Sequence, residues 1–148
     1  MNFEAWLKDG WLRPHKTSPQ EIEDLFTIVE RDLKNCRTSG LSNDWRLNIA
    51  YNAALQTSKI ALAASGYRAS REAHHYRTIQ SLALTIGADN GLVKELDAFR
   101  KKRNISDYEA ADLVSDHEVD EMIDLAQQLK ENIIQWMKKN HPHLLSKK

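Results

Sequence analysis

The chain has one cysteine, Cys36, in 148 residues, which excludes an internal disulfide and suits a reducing compartment. Neither sign of charge is in excess: 21 Lys and Arg stand against 21 Asp and Glu. No bulk field therefore draws the protein toward nucleic acid, and any such contact has to come from a local patch. No apolar run approaches the roughly 18 residues that a membrane span needs. The start, Met1-Asn2-Phe3-Glu4, lacks the basic segment and apolar stretch of a secretory signal. A cytoplasmic protein without membrane association is the expectation. Its five glycines form no phosphate-cradling loop, and there is no Ser nucleophile elbow. No second cysteine and no His-Glu-x-x-His spacing offers a metal site. His74 and His75 are adjacent, so on a helix they point about 100° apart and do not readily chelate one ion. Neither a metal nor a cofactor is expected.

What the sequence does contain is helical periodicity. Phe3 to Lys8 makes one or two turns, ended by Asp9-Gly10, and Trp6, Trp11 and Leu12 are apolar enough to clamp onto a larger body. Ser18-Pro19-Gln20-Glu21 offers an N-cap, a proline at the first helical position and a capping-box glutamate. Ile22, Leu25, Phe26, Val29, Leu33 and Cys36 follow at spacings of three and four, predicting a helix to about Thr38 and a buried core thiol at Cys36. A helix from Asn43 to Ser65, capped by Ser42 and ended by Gly66, is apolar on several faces and rich in alanine, which marks a central element. Ser70 is placed to cap a helix from Arg71 to Ile86, with His75, Ile79, Leu82, Ala83 and Ile86 inward. The turn Gly87-Ala88-Asp89-Asn90-Gly91 leads into a helix carrying Leu92, Leu96, Phe99 and Arg103 on one face, fraying at Ile105-Ser106-Asp107. A second capping box, Ser115 to Glu118, opens a helix with Val119, Met122, Ile123, Ala126, Leu129, Ile133, Trp136 and Met137 on one stripe. We find no strand-like alternation and no repeat. The expected fold is all-α: an antiparallel four-to-five-helix bundle with a short N-terminal helix, in one domain. Residues 1–17 form an arm, 18–140 the bundle and 141–148 a flexible tail in which His141 and His143 have only a surface role.

Arg103 is the residue that the apolar stripe leaves unexplained. A guanidinium cannot shed its charge, so on a core-facing stripe it demands acceptors. It either pairs with an acid on another helix and sets register, or it stands with Arg100 at the lip of a cleft and holds a phosphate. Asn104 would orient the arginine or contact a nucleotide.

The stretch Arg100-Lys101-Lys102-Arg103-Asn104-Ile105-Ser106-Asp107-Tyr108 resembles the signature of HEPN-fold proteins. That signature is an Arg, often followed directly by Asn, Asp or His, with a His about four to six residues further on. Leu96 to Arg100, and Gly66-Tyr67-Arg68 through His74-His75-Tyr76-Arg77, also look like a bacterial branch of that superfamily, and the helix layout corresponds from about Leu25 to Met137. The resemblance implies a helical bundle that pairs as a two-fold homodimer, with the motifs of both subunits in one cleft. It further implies metal-independent cleavage at an RNA ribose hydroxyl, and a nucleotidyltransferase antitoxin as partner. It carries Arg103 and Tyr108 over as catalytic positions, but Tyr108 stands where the family has its His. With an ordinary pKa of about 10, only ~0.1% of a phenol is ionised at neutral pH, so tyrosine is a poor general base.

A second candidate group is Tyr67, Arg68, His74 and His75, where Arg68 matches the Arg–His spacing literally. About one such match is expected by chance in a chain with this many arginines and histidines. Either these residues line a nucleotide- or RNA-binding cleft with Arg103, or His75 is a satisfied core histidine and His74 a surface one. Two functions follow: an RNA- or nucleotide-binding protein, with or without ribonuclease activity, or a noncatalytic module for dimerisation or protein docking.

Overall fold

The computed structural model describes residues 2–108 and 114–145, with 104–108 described in backbone only. The chain runs α1 (Phe3–Lys8), β1 (Leu12–Pro14), α2 (Pro19–Asn35), α3 (Asn43–Ala64), β2 (Tyr67–Ala69), α4 (His74–Gln80), α5 (Leu82–Thr85), α6 (Asn90–Tyr108) and α7 (Asp116–Asn140), then a 3-10 turn at Pro142–Leu144. It is an all-α bundle, as periodicity predicts. α3 is its axis and packs against both α2 and α7. Ala50, Ala53, Ala54 and Ala61 are buried along it, and their small side chains let neighbouring backbones come close.

Direction follows from contacts at the helix ends. The Asn43 side chain at the start of α3 donates to the Val114 carbonyl (3.1 Å) and to Asp116 (2.8 Å), so α3 and α7 begin at the same end. Lys102, late in α6, pairs with Glu118, early in α7, at 3.2 Å, so those two helices run oppositely. α2 is tied to α3 through the buried Asp32, whose carboxylate accepts from Asn52 (2.7 Å) and Arg31 (3.1 Å).

The caps explain where helices begin. Ser18 accepts from the Glu21 amide, and Ser115 forms a reciprocal capping box with Glu118. Ser42 makes no side-chain cap, contrary to expectation, and the Asn43 and Asp116 side chains secure that end. Four further differences from the sequence reading have identifiable causes. The expected helix over 71–86 begins only at His74 and is interrupted at Ser81, whose hydroxyl donates to the Thr78 carbonyl (2.6 Å). Ser70 caps nothing there, because its hydroxyl donates to the Gly10 carbonyl (2.6 Å) and its amide to Trp11 (2.8 Å). Those bonds continue a small antiparallel ribbon in which Leu12, Arg13 and Pro14 face Ala69, Arg68 and Tyr67. Strands of three residues are too short to show alternation. Finally, the segment after α7 is not a loose tail as far as it is described: Leu144 is buried in the core.

The ribbon fastens the N-terminal arm to the bundle. Trp6 and Leu12 are buried with Leu62 of α3 and Ala69 of β2, and Phe3 stacks on Tyr67 at 4.5 Å. Arg77 of α4 lies over the Trp11 ring at 3.4 Å, a cation–π contact that brings α4 to the arm. α4 is thereby held beside β2, between the arm and α6.

Candidate functional site

The apolar stripe of α6 turns inward as expected, with Leu96 and Phe99 buried. Arg100 and Arg103, on the same side of the helix, reach an open cleft of about 590 Å³ between α4 and α6. The opposite wall supplies Arg71, His74 and His75. The structure thus brings Arg100, Arg103, His74 and His75 to one place. Tyr67 and Arg68 lie next door, in a second cavity that shares Arg71 and His74 with the cleft. Asn104 and Tyr108 lie outside the residues whose side chains are described.

Arg100, Arg103 and His75 each have a neighbour that positions them. Arg100 is held by Asp97, one turn earlier, at 2.6 Å, and its guanidinium lies 5.3 Å from the Tyr76 ring centre. Arg103 sits over the ring of Tyr51, 5.6 Å from its centre. The Tyr51 hydroxyl is 3.5 Å from His75 Nδ1, with the donor set by the imidazole tautomer. Tyr51 is therefore the floor that connects the arginine to the histidine. Burial drives its phenol well above the ordinary range, outweighing the opposing pull of Arg103 and Arg100, so it stays protonated. Ala73, at the cleft edge, has φ of 53°, a left-handed conformation that costs a residue with a Cβ on the order of 1–2 kcal/mol.

Electrostatics give the cleft its character. Burial lowers the His75 pKa, and the positive charges of Arg103, His74, Arg100 and Lys59 lower it further. Burial and Lys59 do the same to His74. Both imidazoles are therefore neutral at pH 7, with a basic nitrogen available. None of the described residues lining the cleft is acidic. Three guanidinium groups and two imidazoles face one space in a chain of zero net charge, so the patch required by the sequence argument exists. Such a site favours an anion that presents pairs of acceptor oxygens to a planar guanidinium, as phosphate does. Only side chains are available to an anion there, since α4 spans only His74–Gln80 and adds little dipole.

No family model, curated protein or solved structure matches the chain. The chemistry accordingly rests on its own residues. Sequence reasoning missed Tyr51, because α3 is buried on several sides and its phase singles out no face. It also missed Lys59, Glu21 and Thr78 of the second cavity, which come from three different helices. Among the described residues no three His, Cys, Asp or Glu side chains converge as a metal site would require, and no helix is long and apolar enough to cross a membrane.

Proposed function

We propose that the protein is an RNA- or nucleotide-binding bundle of HEPN-like type, and that its basic cleft holds a phosphate. The reading is carried by one observation: Arg71, Arg100, Arg103, His74 and His75 line a common cleft without an acidic residue among them. It is supported by His75, which supplies near Arg103 the imidazole that Tyr108 does not. Metal-independent RNA cleavage follows. His75 takes the proton from a ribose 2′-hydroxyl, and the 2′-oxygen attacks the adjacent phosphorus. The bond to the 5′-oxygen breaks as that oxygen takes a proton from water, leaving a 2′,3′-cyclic phosphate. Arg100 and Arg103 hold the charge that gathers on the phosphoryl oxygens. The buried, reduced thiol of Cys36 suits the cytoplasm, where a toxin–antitoxin ribonuclease paired with a nucleotidyltransferase antitoxin would work.

The test is single-stranded RNA binding and cleavage in excess chelator. Wild type binds and cuts, and His75→Ala binds but does not cut. If wild type neither binds nor cuts RNA or free nucleotide, the reading fails.

A second reading, a noncatalytic homodimerisation or docking module, has an observation of its own. Trp45 is 61% exposed and Leu41 37% exposed, large apolar side chains left at the surface near the start of α3. Sedimentation of wild type against Trp45→Ser separates the two: dissociation of a dimer with no RNA activity in either protein favours this reading.

A further inference from the structure

Adjoining the cleft is a more enclosed chamber of about 480 Å³, within the size range of small-molecule sites. Its wall is mixed. Leu25, Leu62 and Tyr67 give it apolar surface, while Glu21, Lys59 and Thr78 stand among them. Arg71 and His74 belong to both spaces, so a single ligand can extend from one into the other.

Thr78 is the telling residue. It is fully buried, and its Oγ1 has no hydrogen-bond partner in the protein. Other buried hydroxyls in the bundle are satisfied within their own helices: Thr57 donates to the Ala53 carbonyl at 2.7 Å and Ser58 to the Ala54 carbonyl at 2.9 Å. A buried polar group without a partner is rare, because it loses its hydration and gains nothing in return. Glu21 is the second constraint. Burial raises its pKa, but hydrogen bonds from Thr17 and His15, with the charges of His15 and Lys59, hold it below the ordinary value. An ionised carboxylate repels phosphate and accepts from a neutral N–H. Arg68, Arg71 and Lys59 also line the chamber, so cations alone do not separate the two spaces. What sets the chamber apart is its apolar wall, its enclosure and the Glu21 carboxylate, which suit a flat body with polar edges.

We propose that the chamber receives the heterocyclic base of a nucleotide whose phosphate occupies the cleft, with Thr78 Oγ1 and the Glu21 carboxylate contacting the base edge. The inference rests on the reading of the cleft as a phosphate site. The shared chemistry is that of one nucleotide, either a free nucleoside monophosphate or a unit of single-stranded RNA.

Calorimetric titration tests it, with inorganic phosphate, ribose 5-phosphate, the four nucleoside 5′-monophosphates and a short single-stranded RNA as ligands. At least one nucleoside monophosphate binds wild type tenfold or more tighter than ribose 5-phosphate. Thr78→Val, which keeps the shape and removes the hydroxyl, lowers that affinity fivefold or more without lowering affinity for ribose 5-phosphate or the melting temperature. Glu21→Gln, which keeps the size of this half-buried side chain and removes its charge, likewise reduces the gain due to the base. RNA binding tenfold tighter than the monophosphate assigns the site to RNA, and equal binding assigns it to free nucleotide; either supports the chamber. Equal affinity for ribose 5-phosphate and every monophosphate, unchanged in both variants, overturns the chamber and leaves the phosphate cleft standing. Failure of every phosphate-bearing ligand to bind overturns the cleft reading, and the chamber with it.

Discussion

Three side chains from three helices, Arg103 of α6, His75 of α4 and Tyr51 of α3, meet at the floor of the cleft. Their roles differ. Arg103 is a fixed charge, His75 a neutral base, and Tyr51 a protonated ring that places both. Arg103→Ala is expected to weaken RNA or nucleotide binding at least tenfold while leaving helical content unchanged, as read by fluorescence anisotropy and circular dichroism. Arg103→Lys restores the binding only in part, because an ammonium lacks the planar fork that meets two phosphoryl oxygens. Full rescue by lysine would show that only charge matters there. Arg103 was legible in the sequence as the one cation on an apolar stripe. Tyr51 was not, since an aromatic residue on an all-round apolar helix reads as core. His75 was legible as a candidate, but its link to Arg103 and Tyr51 is spatial. The sequence offered Arg68 as its partner, and Arg68 lies in the neighbouring chamber instead.

At the scale of elements, capping decides where helices start and how much each start contributes. Ser115 makes both halves of a capping box, so Ser115→Ala is expected to cost about 1 kcal/mol of unfolding free energy. Ser42 makes no cap hydrogen bond, and Ser42→Ala is expected to leave the urea midpoint within error of wild type. Equal losses in the two variants would contradict this account of the helix starts. Long helices and their stripes were readable because a 3.6-residue period repeats many times within them. The ribbon was not, for three residues carry no period and its pairing joins residues more than fifty positions apart. Its consequence for the site is direct. By tying the arm to β2, the ribbon sets the Trp11 ring against Arg77 and fixes α4 beside the cleft.

At the scale of the whole molecule, charge neutrality conceals segregation, and the histidines link that segregation to pH. Those whose pKa is lowered, His74, His75 and His141, bind protons more readily when unfolded than when folded. Where the unfolded chain holds more protons, stability rises with pH. Stability is therefore undiminished above the ordinary value of 6.5 and falls as pH drops below it, toward the lower folded values. Around His75 stand the cations Arg103 and Arg100 on α6 and Lys59 on α3, joined by His74 on α4 once it is protonated; the Asp97 carboxylate, bound to Arg100, does not reverse the direction. Glu21 and Glu118, with pKa values lowered from 4.5, contribute stability that is lost only in more acid solution. Urea midpoints measured from pH 8 to pH 4 should thus decline in two stages, the first setting in below pH 6.5. A curve flat from pH 8 to pH 5 would remove the histidines from the account. Saturating phosphate should diminish the first stage in part, because burial leads the lowering at His75 and an anion in the cleft offsets only the share due to the cations.

The sequence by itself determined the long helices, the Ser18 and Ser115 caps, the buried stripes and the place of Arg103 on one of them, because each of these is written in spacings a few residues long. Only the tertiary structure decided which polar residues face one another. The cleft and its chamber draw on the α2, α3, α4 and α6 segments and on the β2 connection, and their distances depend on how the helices pack around α3 and on a ribbon too brief to leave a periodic trace. Local periodicity specifies which face of a helix turns inward; it carries no information on which side chains from other helices will meet that face.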